Sequence, residues 1–144
     1  MAELVIRDLI VEYATGPHVV RPIDGLSVEV PAGNLTLLLG PSGCGKSTLL
    51  SCLGSILEPT SGSIMIDGVE TTGLDAAGLV EHRRNRVGIV FQAFNLVESL
   101  TAVENVALPM RSAGVKRKAA NERARDLLVD VGLEERLGLS LIHI

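Results

Sequence analysis

Apolar and polar positions alternate at the start of the chain: Leu4, Ile6, Asp8, Ile10 and Glu12 interleave with Val5, Arg7, Leu9 and Val11, which predicts a mostly apolar strand ending at Tyr13. A second strand is expected over Leu26-Ser27-Val28-Glu29-Val30, apolar at 26, 28 and 30, with Gly16-Pro17 and Pro22 marking the loop between the two. After the turn Pro31-Ala32-Gly33-Asn34 the pattern changes. Leu35-Thr36-Leu37-Leu38-Leu39 is a short, nearly continuous apolar run, as expected of a parallel strand covered on both faces. From Lys46 onward Leu49, Leu50, Leu53, Ile56 and Leu57 recur at helical spacing.

Further along, Glu58-Pro59-Thr60-Ser61-Gly62 is a turn cluster, Ser63-Ile64-Met65-Ile66 a short strand and Asp67-Gly68 a hairpin-type turn. Asp75 is placed to cap a short helix running through Arg84, with Arg83, Arg84 and Arg86 read as its solvated end. Val87-Gly88-Ile89-Val90-Phe91 has the composition of a second buried strand, ending at Gln92. Thr101 opens a helical pattern with Val103, Val106, Ala107 and Met110, which Pro109 should bend or end. Lys116-Arg117-Lys118 starts another helix, carrying Ala119, Ala120, Ala124, Leu127, Leu128 and Val131 and closed by Gly132.

Between the apolar run and the first helix lies the one stretch whose chemistry is specific. Gly40-Pro41-Ser42-Gly43-Cys44-Gly45-Lys46-Ser47-Thr48 fills every required place of the phosphate-binding pattern G-x-x-x-x-G-K-[ST], with a strand expected before it and a helix after it. Successive backbone N–H groups must turn inward around an anion, and Gly40, Gly43 and Gly45 permit the backbone angles this needs. Lys46 then sets an ammonium against the outer phosphates, and Ser47 offers a hydroxyl to Mg²⁺. Thr48 can donate to an inner phosphate. The phosphates would face a helix N-terminus.

Composition narrows the class. At 144 residues there is room for one domain, and with 47% hydrophobic but only 2% aromatic residues its core must be aliphatic, leaving few stacking platforms. A net charge of −4 without a basic stripe makes nucleic acid an unexpected partner. Glu3 and Asp8 stand where a secretory leader would be basic, and no segment approaches a membrane-spanning apolar run, so the chain is expected to be neither exported nor membrane-spanning. Its two cysteines, Cys44 in the loop and Cys52 on the helix after it, form no disulfide framework or metal cluster and suit a reducing compartment.

The phosphate loop, Tyr13, Gln92 and the segment Phe94-Asn95-Leu96-Val97-Glu98-Ser99-Leu100-Thr101-Ala102-Val103-Glu104-Asn105-Val106 together resemble the ATP-binding subunit of ABC transporters, nearest to the lipoprotein-releasing and macrolide-export group. The resemblance implies an α/β fold: a partial P-loop NTPase core, an N-terminal antiparallel β layer and a C-terminal helical segment. It covers residues 1–137, whereas 138–144 do not match, so the chain looks C-terminally truncated. It implies that Tyr13 stacks on adenine, that Gln92 senses Mg²⁺ and the attacking water, and that ATP and Mg²⁺ are the cofactors. The implied partners are membrane-spanning permease subunits and a second nucleotide-binding subunit, at the cytoplasmic face of the cell membrane.

The family's Leu-Ser-Gly-Gly-Gln signature, its Asp-Glu strand end and its switch histidine do not occur, and His143 is not to be taken for the last of these. Without them the 144 residues alone are expected to bind but not hydrolyse ATP. Two other readings of the loop are a soluble ABC-type ATPase acting on DNA or ribosomes, and a small-molecule P-loop kinase or GTPase. Against the latter stand the antiparallel N-terminal layer and the Gln92 segment.

Overall fold

The structure, a computed structural model, describes residues 3–140, and the expectation about His143 falls outside them. Contacts divide the chain into two compact units, Met1–Ile89 and Val90–Ile144.

The first unit is built on an antiparallel sheet. Strands β1 (Leu4–Thr15) and β2 (His18–Val30) form a hairpin, β3 (Ser61–Ile66) pairs antiparallel with the other edge of β1, and β4 (Val69–Glu70) completes the order β2-β1-β3-β4. The hairpin turns at Gly16, whose φ of 60° needs no Cβ, and β3 turns into β4 through Asp67 and Gly68, as the sequence predicts. The second strand is longer than expected: it begins at His18, and Pro22 lies within it. That is possible because β2 is an edge strand, where a missing N–H costs no ladder bond.

A bulge in β1 between Ile6 and Leu9 is held by Ser27, whose hydroxyl accepts from the Asp8 amide at 2.8 Å. Asp8 there takes a φ of 47°. Gly62 of β3 meets this bulge so closely that a Cβ on it would fall 2.6 Å from Leu9 Cα. Helix α1 (Lys46–Leu53) lays Leu49 and Cys52 onto the sheet face made by Ile6, Leu9, Val11, Ile23 and Ile64. This aliphatic cluster is the core of the unit. Burial pushes the Cys52 thiol pKa up and keeps it protonated. Helix α2 (Ala76–Asn85) starts as expected at Asp75, whose carboxylate accepts from Gly78 N–H at 2.8 Å.

Two sequence expectations fail. Neither Leu35–Leu39 nor Val87–Phe91 forms a strand. A parallel strand exists only through a ladder, and among the described residues no strand pairs with either run. Leu35 and Leu39 are accordingly 92% and 85% exposed. Both runs have the composition of buried strands without the neighbours that would bury them.

The second unit is helical. Helix α3 (Ala102–Ser112) packs on α4 (Arg117–Asp130) through Val103, Ala107, Ala120, Ala124 and Leu128. Alanines at the seam let the backbones approach closely. Thr101 and Glu104 form a reciprocal capping box at the start of α3. Pro109 does not end the helix: it sits in the last turn, and the chain leaves the helix only after Ser112, with Gly114 at a φ of 89°. The Ala102 and Val103 amides donate to Leu139 and Leu137 carbonyls, tying the segment after α4 to the start of α3.

Candidate nucleotide site

The loop between residues 40 and 48 runs into the start of α1. Gly43 and Gly45 have φ values of 81° and 90°, left-handed angles that side chains resist, and Gly45 is the N-cap of α1. A Cβ on Gly45 would overlap the Pro22 carbonyl oxygen, so the loop can rest on β2 only because this position is glycine. A Cβ on Gly40 would lie 2.7 Å from Cys44 Sγ.

No side chain caps α1 and no acidic residue stands in its first turn. Its N-terminal amides, from Lys46 through Thr48, therefore start a helix whose positive end carries no built-in anion. The Lys46 ammonium folds back over the loop, donating to the carbonyl oxygens of Gly40 at 2.8 Å and Pro41 at 2.6 Å and reaching Cys44 Sγ at 3.5 Å. A cation over a glycine cradle at an uncapped helix start is a set of donors without an anionic side chain in the loop. These residues fit a phosphate chain, and Ser47, exposed on the first turn, fits a cation bound to one.

Beside the loop is a cleft of about 530 Å³, lined by Asp24, Leu38, Cys44, Gly45, Lys46 and other residues of β2 and α1. Tyr13, in the same unit, stands near the hairpin tip, paired with Val20 across a register shift in β1, and is 41% exposed. Its ring is thus partly free. The unit also contains Pro22, which the sequence marked only as part of a loop. Its role is carried by a backbone oxygen, and no residue type signals that.

Gln92 belongs to the second unit, exposed in a stretch without regular structure. The segment after it is ordered by a residue to which the sequence had assigned no task. Asn105 accepts from the Val97 amide at 2.8 Å and donates to the carbonyls of Val97, Leu100 and Thr101 at 3.1, 3.2 and 3.1 Å. Its side chain thereby fixes the turn at 97–101. Phe94, in this segment, is 89% exposed, and Leu96 and Leu100 join Val106, Leu128, Leu133 and Leu139 around an apolar groove of about 350 Å³. Glu104 is held below the usual carboxylate range, first by the Thr101 amide, then by the Thr101 hydroxyl, with Arg117 and Arg111 adding to them. No helix among the described residues is long and apolar enough to cross a membrane.

An ABC transporter ATP-binding protein of Mycobacterium tuberculosis is 63% identical over 137 residues, which are 95% of this chain and 42% of that protein. The macrolide export ATP-binding/permease protein MacB of Salmonella choleraesuis is 38% identical over 125 residues, 87% of this chain and 19% of its own length. The chain thus spans less than half the length of these relatives. Among solved structures, the dimeric post-hydrolysis ATP-binding cassette MJ0796, bound to ADP and Pi, superposes with a TM-score of 0.89 at 30% identity, covering 98% of this chain and 62% of that one. The fold is therefore the α/β fold of the ATP-binding cassette, antiparallel layer and helices included. The ABC transporter family profile matches residues 23–141, and the chain belongs to that family, as part of an ATP-binding subunit.

Proposed function

We propose that residues 1–137 are the nucleotide-binding part of a protein that couples ATP binding and hydrolysis to the movement of a substrate through membrane-spanning permease subunits. The single observation that carries this reading is Lys46, whose ammonium is held over the glycine cradle at an uncapped helix start. On nucleotide binding it leaves the Gly40 and Pro41 carbonyls for the outer phosphates, where charge-assisted hydrogen bonds are stronger than those to neutral carbonyls. The loop amides and Thr48 hold the inner phosphates. Mg²⁺ binds through few protein groups together with substrate phosphates, and Ser47 offers it a hydroxyl; the sensing of Mg²⁺ is assigned to Gln92. Tyr13 stacks on the base.

Gln92 and the segment ordered by Asn105 receive a helix of the permease, a role supported by the exposed Phe94 and by the groove that Leu96 and Leu100 help to line. A second nucleotide-binding subunit completes the γ-phosphate site, a reading supported by the dimeric form of the similar cassette MJ0796. Glu98 and Glu104 lie in the segment after Gln92, and Glu104 is already committed to capping α3. The 144 residues alone bind nucleotide without turning it over. The working place of the whole assembly is the cytoplasmic face of the cell membrane.

Phosphate release tests the reading. The full-length protein with its permease should release phosphate in a manner abolished by Lys46→Ala, and the 144-residue chain should release none above its own Lys46→Ala control. Sustained Lys46-dependent turnover by the short chain would show its site to be complete. A cysteine introduced at Asn95 in a cysteine-free full-length protein should crosslink to the permease, and its failure to do so would count against the docking role.

A further inference from the structure

Helix α1 has eight residues, so its far end lies only about 12 Å from the amides that begin it. No basic residue stands in its last turn. Its final carbonyls are taken up by a tight reversal: Gly54 N–H donates to Leu50 O, Ser55 N–H to Cys52 O, and the amides of Ile56 and Leu57 both to Ser51 O. To make this reversal Ser55 adopts a φ of 52°, a left-handed angle unfavourable for a residue with a Cβ.

Two residues of one downstream segment hold this corner. Arg83, on α2, donates from Nη1 to the Ser55 carbonyl oxygen at 2.7 Å in a part-buried contact. Ile89 packs on Gly54 so closely that a Cβ there would lie 2.7 Å from its Cδ1. The negative end of the α1 dipole thus has its cation supplied from 28 residues away. Arg83 belongs to a run that sequence reasoning took for a solvated helix end. Arg84 fits that description, with its guanidinium near Glu81 on the surface, but Arg83 does not.

We infer that Arg83 is a positioning residue for the phosphate loop, holding α1 from its far end so that the amides of Lys46, Ser47 and Thr48 stay fixed where phosphate is to be bound. The physical basis is that a helix this short moves as a rigid rod. If its C-terminal corner is loosened, its N-terminal amides are no longer pre-organised, and ordering them becomes part of the cost of binding. This inference rests on the nucleotide reading above.

The test is the affinity of the full-length protein for a fluorescent mant derivative of ADP with Mg²⁺, well below the unfolding temperature, for wild type, Lys46→Ala, Arg83→Ala and Arg83→Lys. Arg83→Ala should bind roughly three- to tenfold more weakly, and Arg83→Lys, which keeps the cation and a donor, should recover most of the loss. Amide exchange at 46–48 should speed up in Arg83→Ala and not in Arg83→Lys. Should Arg83→Ala not fold, Arg83→Gln, which keeps a donor and loses the charge, takes its place. Unchanged affinity and exchange in the Arg83 variants, with binding lost in Lys46→Ala, would overturn the inference and leave the nucleotide site standing. Wild-type affinity in Lys46→Ala would overturn both.

Discussion

Lys46 closes on Gly40, six residues before it, by donating from Nζ to the carbonyl oxygen at 2.8 Å. The bond keeps the ammonium over the loop, where it can exchange its carbonyl partners for an arriving anion. Lys46→Ala removes both this closure and the charge that would meet phosphate. Hydrogen bonds to charged groups contribute about 1.5–3 kcal/mol, so affinity for Mg·ATP should fall at least about tenfold. Titration with a fluorescent ATP analogue checks this, and equal affinity in the two proteins would refute the site.

Tyr13 is the only tyrosine in the sequence, and its ring is partly free at the end of a hairpin. Stacking of a base on an aromatic contributes roughly 1–3 kcal/mol. Tyr13→Ala should weaken nucleotide binding by about that much, while Tyr13→Phe, which keeps the π face, should bind as wild type does. The same titration distinguishes them. If the alanine variant matches the wild type, no stack forms.

Gly45→Ala should be far more damaging than Gly16→Ala, although both sites have left-handed backbone, with φ values of 90° and 60°. At Gly16 the added methyl meets nothing within 4 Å, so only the backbone cost of about 1–2 kcal/mol is expected. At Gly45 it overlaps the Pro22 carbonyl as well, and the loop must leave β2. Thermal unfolding should show a drop of several degrees more for Gly45→Ala, on the usual scale of about 2–8 °C per kcal/mol. Equal shifts in the two variants would mean that the loop does not rest on Pro22.

His82 is buried on α2, its Nε2 lacks a partner, and its pKa is lowered by burial first and then by Arg86 and Arg83. In the unfolded chain it titrates near 6.5. The unfolded state therefore takes up the proton first as pH falls, so His82 contributes stability above about pH 6.5 that is lost as pH drops towards its lower folded value. Urea midpoints measured between pH 7.5 and 5.5 should decline, and His82→Leu should flatten that part of the curve. A decline of the same slope in the variant would assign it to other groups.

The elements legible in the sequence were those stabilised by contacts close in the chain. The Asp75 cap, the Thr101 start, the turn at Asp67-Gly68 and the glycine-rich loop each depend on side chains and backbone angles within a few residues, and each stands where the pattern put it. The phosphate motif was legible for the same reason, since its residues are consecutive in the chain. Tertiary structure decided what depends on distant partners. Leu35–Leu39 and Val87–Phe91 read as buried strands because their composition is that of buried strands, yet a strand is made by pairing, and among the described residues no strand pairs with them. Composition records the environment a segment is suited to, and only the fold supplies the ladder. Likewise Pro22 supports Gly45 through a carbonyl that every residue has, and Arg83 reaches Ser55 across 28 positions while its neighbour Arg84 faces solvent. An arginine on a helix end looks the same in sequence whichever way it points, and only the hydrogen bond from Arg83 to the Ser55 carbonyl separated the two.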